Sequence, residues 1–166
     1  MVVCGLDIGG ASTNGICVMD DSGKLIKVIE VPFKGKTKGE HRRFVASLVR
    51  KIAQETGVTD ILLEAVRLYR GGHVSPLADI MSLGKITGAI IDSCCDICEI
   101  HQVQVNSWKA RVLGNKSATK EDAVNFVKKT YGLNVCHDVA DSICIARCGI
   151  YFEDVMKNKN NLLTNK

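Results

Sequence analysis

The sequence predicts an α/β protein built on a mixed five-stranded sheet, its first three strands antiparallel and the next two parallel, with helices flanking it. The order of patterns carries this prediction. Apolar runs at 2–8, 14–20 and 24–33 follow one another with only short turns between them, which suits a meander. After them helical and extended patterns alternate, and extended runs joined by helices pair in parallel through right-handed crossovers. A further observation concerns chemistry: two of the buried runs close on an acid, Asp7 and Glu64.

Each element has a local reason. "VVCGLDI" and "NGICVMD" read as buried strands, and "KLIKVIEVPF" follows "DDSGK", where Gly23 supplies positive φ for a hairpin turn. Residues 39–56 show helical spacing, with Phe44, Val45, Leu48, Val49, Ile52 and Ala53 on one face and Gly57 as the stop. "TDILLE", 59–64, is a fourth buried strand. In "SPLADIMSLGKITGAIIDS" Ser75 is the expected N-cap and Pro76 the first helical residue of a helix over 76–93. A fifth strand is expected at 97–105. A short helix then begins near Ser107, another spans Thr119 to Tyr131 before Gly132, and a last one spans Asp138 to Met156. The polar segment 157–166 is expected as a flexible tail on a single domain, 1–156.

Composition is that of a globular chain with a sizeable core: 46% hydrophobic and 24% charged among 166 residues. No apolar run reaches the ~18 residues needed to cross a bilayer, and the start lacks the basic segment and cleavage site of a secretion signal. No membrane partner is expected, and the expected location is the cytoplasm of a bacterial or phage-infected cell. Eight cysteines in such a chain point to reduced thiols. Cys95 and Cys98 have CxxC spacing, and Cys144 and Cys148 lie four apart on a helix. A four-sulfur zinc site is thus an alternative to their packing as small hydrophobes. The net charge of +4 is mild but clustered. Lys34, Lys36, Lys38, Arg42 and Arg43 form one group, Arg67, Arg70 and His73 a second, and Lys109, Arg111, Lys116 and Lys120 a third. Such groups suit phosphate contacts, although a solvated face is the commoner reading of any single one.

If the first and fourth strands are parallel neighbours, Asp7 and Glu64 emerge side by side, because adjacent strands lie ~4.8 Å apart. Sheets of this kind carry active sites at the carboxyl ends of their strands. Asp138 and Asp141, three apart in "HDVADSICIARC", share one helical face. Alone, that pair reads first as a helix start, where acids complement the dipole. Together the four acids repel unless a hard cation such as magnesium neutralises them, and paired ions on such a set hydrolyse phosphodiesters. Two acids closing buried strands are hard to explain otherwise, since an unpaired buried charge is costly.

At these residues the chain resembles the RuvC family of Holliday junction resolvases, within the ribonuclease H-like superfamily, over roughly residues 2–150. "GLDIGG" is similar to the family's first-strand motif with Asp7 as a metal ligand, "ILLEAV" to the second with Glu64, and "DVADSICIA" to the third, with Asp138 and Asp141 as its D-x-x-D pair. "SLGKITGAIID" resembles the small-residue helix of the family's dimer interface. "WKARVLGNKSATKEDAV" resembles the segment bearing two lysines used in catalysis and DNA contact, here Lys109 and Lys120. Two departures stand out. Ile8 follows Asp7 where bacterial members usually have proline, and Arg67 stands where the loop after the glutamate presents an aromatic. The nearest aromatic, Tyr69, either stacks on a base pair or packs under that loop.

The resemblance implies a homodimeric, magnesium-dependent crossover junction endodeoxyribonuclease of DNA recombination and repair. Two ions per subunit, with manganese as a substitute, would be held by Asp7, Glu64, Asp138 and Asp141. Asp7 would bridge them, Glu64 and Asp141 would hold one each, and Asp138 would support. Lys120 would offset charge on the phosphate in the transition state, and the products would carry a 5′-phosphate and a 3′-hydroxyl. The partners implied are four-way branched DNA and a second copy of the chain, with no small-molecule substrate. DNA contacts are expected from Lys34, Lys36, Arg67, Tyr69, Arg70, Lys109, Arg111, Lys116 and Lys120. Met81, Ile86, Ala89 and Ile90 are the expected dimer surface; the other reading is that they cover the sheet. His137 either tunes the metal site or faces solvent at a helix start.

Rival readings come from three directions. "DIGG" followed by small hydroxyl residues also resembles the phosphate loop of sugar kinases and actin. This chain has one such turn and no room for the second domain those proteins use, and the other acids would have no task. YqgF-type relatives that trim structured RNA would share the metal chemistry, and shape and the 2′-hydroxyl would discriminate the substrates. A non-catalytic junction-binding module would leave all four acids idle.

Overall fold

The computed structural model describes residues 1–9, 13–35, 37–66, 69–70, 73–74 and 76–164, and for 69–70, 73–74 and 152–164 the backbone path alone. The first three strands are β1 (Val2–Asp7), β2 (Asn14–Asp20) and β3 (Leu25–Val31). The turn between β2 and β3 is held by Asp20, whose carboxylate accepts from the backbone N–H groups of Ser22 and Lys24, while Gly23 takes φ 85°. Helix α1 (Lys38–Thr56) opens with a capping box between Thr37 and Glu40 and closes on Gly57 in the left-handed conformation. β4 (Asp60–Glu64) follows, then a two-residue ribbon, β5 (Tyr69–Arg70) with β6 (His73–Val74). The sequence reading lacks this ribbon, because strands so short carry no periodicity to detect.

Helix α2 (Leu77–Cys94) starts one residue later than expected: Pro76 occupies the cap position without a side-chain cap bond, and Ser75 lies outside the described residues. β7 (Glu99–Val103), α3 (Val105–Leu113), α4 (Lys120–Tyr131) and α5 (His137–Thr164) complete the chain. The last helix runs on past Met156, where apolar spacing stops, to Thr164.

The sheet has the order β3-β2-β1-β4-β7, with β1, β2 and β3 antiparallel and β1, β4 and β7 parallel, as the pattern of runs predicts. Alternation along the strands builds two cores. Cys4, Leu6, Ile16, Val18, Ile61 and Leu63 face α1 and α2; Val3, Cys17, Met19 and Leu62 face α3, α4 and α5. Arg50 of α1 grips both carboxylate oxygens of Asp96, at 2.6 and 2.9 Å, and so ties α1 to the residues just beyond α2. Among the described residues no helix is long and apolar enough to cross a membrane.

The close fit of α5 on the sheet depends on missing side chains. A Cβ at Gly5 would lie 2.3 Å from the Ser142 oxygen and the Ala146 nitrogen, and one at Gly15 would lie 2.0 Å from the Asp138 oxygen. These two glycines let the backbone of the helix rest directly on β1 and β2.

Side-chain burial corrects several expectations. Ile86 and Ile90 are fully buried, packed in the α1–α2 core, so they cover the sheet and are not a surface for a partner. Ala89 is partly buried in the same core, whereas Met81 is 50% exposed and Leu77 71%. Phe44, counted on the core face of α1, is 38% exposed at its rim. Cys144 and Cys148 lie on the buried face of α5 while Cys98 packs in the opposite core and Cys95 is exposed, so the sheet separates Cys98 from the Cys144–Cys148 pair.

Candidate metal centre

Strand register brings the acids together. β1 and β4 pair with Leu6 opposite Leu63, so Asp7 and Glu64 end neighbouring parallel strands side by side. Leu6 and Leu63 face α1 and α2, and alternation therefore turns Asp7 and Glu64 to the α5 face. On its other side Asp7 pairs with Gly15, the residue on which the start of α5 rests. That contact holds Asp138, and one turn later Asp141, at the same edge of the sheet.

Each acid feels the others. Burial pushes the Asp7 carboxyl up to about 8; repulsion from Asp141, Glu64 and Asp138 adds to this, and Lys120 opposes it. Burial also pushes Asp141 up to about 6, with Glu64 and Asp138 raising it further and Lys109 and Lys120 lowering it. Asp141 is 7% exposed, and its buried Oδ1 has no hydrogen-bond partner. Among the described residues no three His, Cys, Asp or Glu side chains are drawn close enough to form a ready cage for an ion. The acids thus act on one another through space, as like charges do. In chemistry the set fits a hard cation: carboxylate oxygens, one of them buried and unsatisfied.

Two lysines and a tryptophan border the acids. Lys120, the first residue of α4, places Nζ 3.9 Å from Asp138 Oδ1 and remains 63% exposed. Lys109 on α3 donates to the Ala118 carbonyl, and its Nζ stands 5.5 Å from the centroid of the Trp108 ring. Trp108 is fully buried and donates from Nε1 to Glu64 Oε2 at 3.3 Å. It is the contact that sequence reasoning missed. Glu64 sits opposite Val103 at the end of β7, and α3 starts two residues beyond, so one helical turn returns Trp108 over the glutamate. The signal in the sequence was a lone aromatic at the start of an amphipathic segment, which reads as core. Trp108 is core as well.

The remaining candidates fall in other places. His137 starts α5, is half exposed, and lies 3.9 Å from Glu121. Lys34, Arg111 and Lys116 are exposed. Tyr69 and Arg70 form β5, and their side chains, like Lys36 and Arg67 entirely, lie outside the described residues.

No family model matches the chain, and no curated protein matches it. Solved structures do. RuvC of Thermus thermophilus superposes with a TM-score of 0.73 at 20% identity, over 92% of this chain and 96% of that one. The same organism's RuvC in complex with Holliday junction substrate gives 0.74 at 19% identity, over 92% and 95%. The yeast mitochondrial Holliday junction resolvase Ydc2 gives 0.64 at 14% identity, over 98% and 83%. The structural neighbours are thus RuvC-type resolvases, and the fold is ribonuclease H-like.

Proposed function

We propose that the chain is a structure-selective endonuclease that resolves four-way DNA junctions as a homodimer, using magnesium. The observation that carries the proposal is the convergence of Asp7, Glu64, Asp138 and Asp141 at one sheet edge, set by strand register and by the seat of α5 on Gly15. A fold of this kind has no structural need for four acids there, and their repulsion opposes folding. The structural neighbours include a resolvase bound to a Holliday junction, which supports branched DNA as the substrate.

Asp7, Glu64 and Asp141 would hold the ions, with Asp138 in support. When bound, the cations supply activation of water and neutralisation of charge building on the phosphate. The chain's own residues do the rest. Trp108 fixes the direction of the Glu64 carboxylate. Lys120 stands free enough to reach a phosphate oxygen while lowering the charge of the acidic cluster. Lys109, held by Ala118, contributes fixed positive charge near Asp141. Two such sites related by a twofold axis suit paired cuts in strands of like polarity, leaving 5′-phosphate and 3′-hydroxyl ends. The exposed Met81 and Leu77 make the first turns of α2 the candidate dimer surface. The basic residues Lys34, Arg111 and Lys116 offer phosphate contacts on the arms, which makes binding salt-dependent.

The test is a synthetic four-way junction, a linear duplex and a structured RNA, each incubated with protein and magnesium. The expected result is paired cutting of the junction alone, abolished by Asp7→Asn with binding retained. Cutting of the RNA in preference would transfer the proposal to an RNA substrate, and no cutting of any would end it.

A further inference from the structure

The exposed large hydrophobic side chains among the described residues include two aromatics, Phe33 at 41% and Phe44 at 38%. They do not stand on a loose rim. Phe33 packs on the ring of His41, with centroids 4.7 Å apart. His41 is itself fully buried, 2.9 Å from the Asn14 amide, and its Nδ1 accepts from the backbone N–H of Lys34 at 3.1 Å. The Thr37–Glu40 capping box fixes the start of the helix that carries Phe44. Lys34 spans the two aromatics, next to Phe33 in the chain and with Nζ 5.4 Å from the centroid of Phe44. Lys38 and Arg43 are exposed and Arg42 partly so, while the nearby acid, Glu40, is engaged with Thr37.

Position gives the patch its meaning. Val31, which ends β3, pairs with Asn14, and the adjoining Gly15 pairs with Asp7. Phe33 therefore follows the end of a strand two places across the sheet from Asp7, at the same edge as the acids, and Phe44 stands beside it on α1, on the face of the sheet opposite α5. The ends of β3 and β1 lie roughly 10 Å apart.

We propose that Phe33 and Phe44, with Lys34 between them, form a stacking platform for unpaired nucleotides at the catalytic edge of the sheet. Flat apolar rings interleaved with cations match a strand whose bases are unstacked: each base covers a ring while its phosphate meets a lysine or arginine. A paired duplex hides its base faces and gains only the charge contacts. The platform thus favours a flap, or the opened centre of a branched molecule, over a linear duplex. This deepens the nuclease reading and rests on it for the identity of the strand.

The test uses the full chain and a fluorescein-labelled oligothymidylate, with a blunt duplex as reference and a four-way junction carrying 2-aminopurine at its centre. Phe33→Ala and Phe44→Ala are each expected to weaken single-strand binding about tenfold. Duplex binding is expected to change little, and Phe33→Trp to restore both single-strand affinity and the quenching of 2-aminopurine. Lys34→Ala is expected to lower the salt slope of binding by about one phosphate contact. Junction cutting by wild type together with unchanged single-strand binding by the alanine variants would overturn the platform alone. Ring-dependent binding by a protein that cuts nothing would support the platform and end the nuclease reading. A change of oligomeric state in the double alanine variant, with nucleic-acid binding intact, would show the rings to cover a second copy and overturn the proposal.

Discussion

At the scale of single residues, the protein carries a charge problem at Asp7. Burial, with the neighbouring acids, pushes its carboxyl up to about 8 from the ordinary 3.8, so folding favours the protonated form. The stabilising contribution is complete below the ordinary value and is lost as pH rises from there through about 8. Without divalent ions, Asp7→Asn should leave stability nearly unchanged at acid pH. At pH near 8 it should raise stability by on the order of 2 kcal/mol, discounted for partial exposure. Melting curves of both proteins across that range in a chelator check this; a gap that does not widen with pH would contradict the coupling. Trp108 acts on the other strand-end acid. Trp108→Phe removes the bond to Glu64 and a little packing, at about 1–2 kcal/mol. Junction cutting should fall about tenfold in kcat with KM nearly unchanged, the mark of positioning. A fall in KM-dependent binding alone would contradict it. Asp7 and Glu64 were legible in the sequence because an acid closing an apolar run is out of place. Trp108 was not, because burial explains a tryptophan sufficiently.

Among elements, the decisive contact is between α5 and the first two strands. The helix could be foreseen, but not its closeness: Gly15 reads only as one residue of the strand 14–20, whereas its structural task is to admit the Asp138 backbone. Gly15→Ala should force α5 away from β2 and cost about 1–3 kcal/mol. The same shift moves Asp138 and Asp141 off the sheet edge, so cutting should be lost more completely than stability. A variant with wild-type melting and wild-type cutting would show that the helix does not depend on this gap. Helix α2 shows the limit of pattern. It is apolar on more than one side, and spacing alone did not say that Ile86 and Ile90 turn inward while Met81 and Leu77 stay out. Strand order was legible because runs without helices between them pair as hairpins, and the β5–β6 ribbon was not, being too short to leave a pattern.

For the whole molecule, the proposed function requires that two copies associate and that the acids act as one centre. Met81→Lys should yield a monomer in sedimentation at concentrations where wild type is dimeric, with the fold intact by circular dichroism. An unchanged sedimentation coefficient would remove the first turns of α2 from the interface. Side chains from β1, β4 and α5 are proposed to share a divalent cation. Saturable manganese binding, followed by electron paramagnetic resonance on the protein without nucleic acid, tests this sharing. Wild type should bind, and Asp7→Asn and Asp141→Asn should each lose most of that binding while staying folded. Binding that persists unchanged in both variants, or none in wild type, would contradict the shared centre.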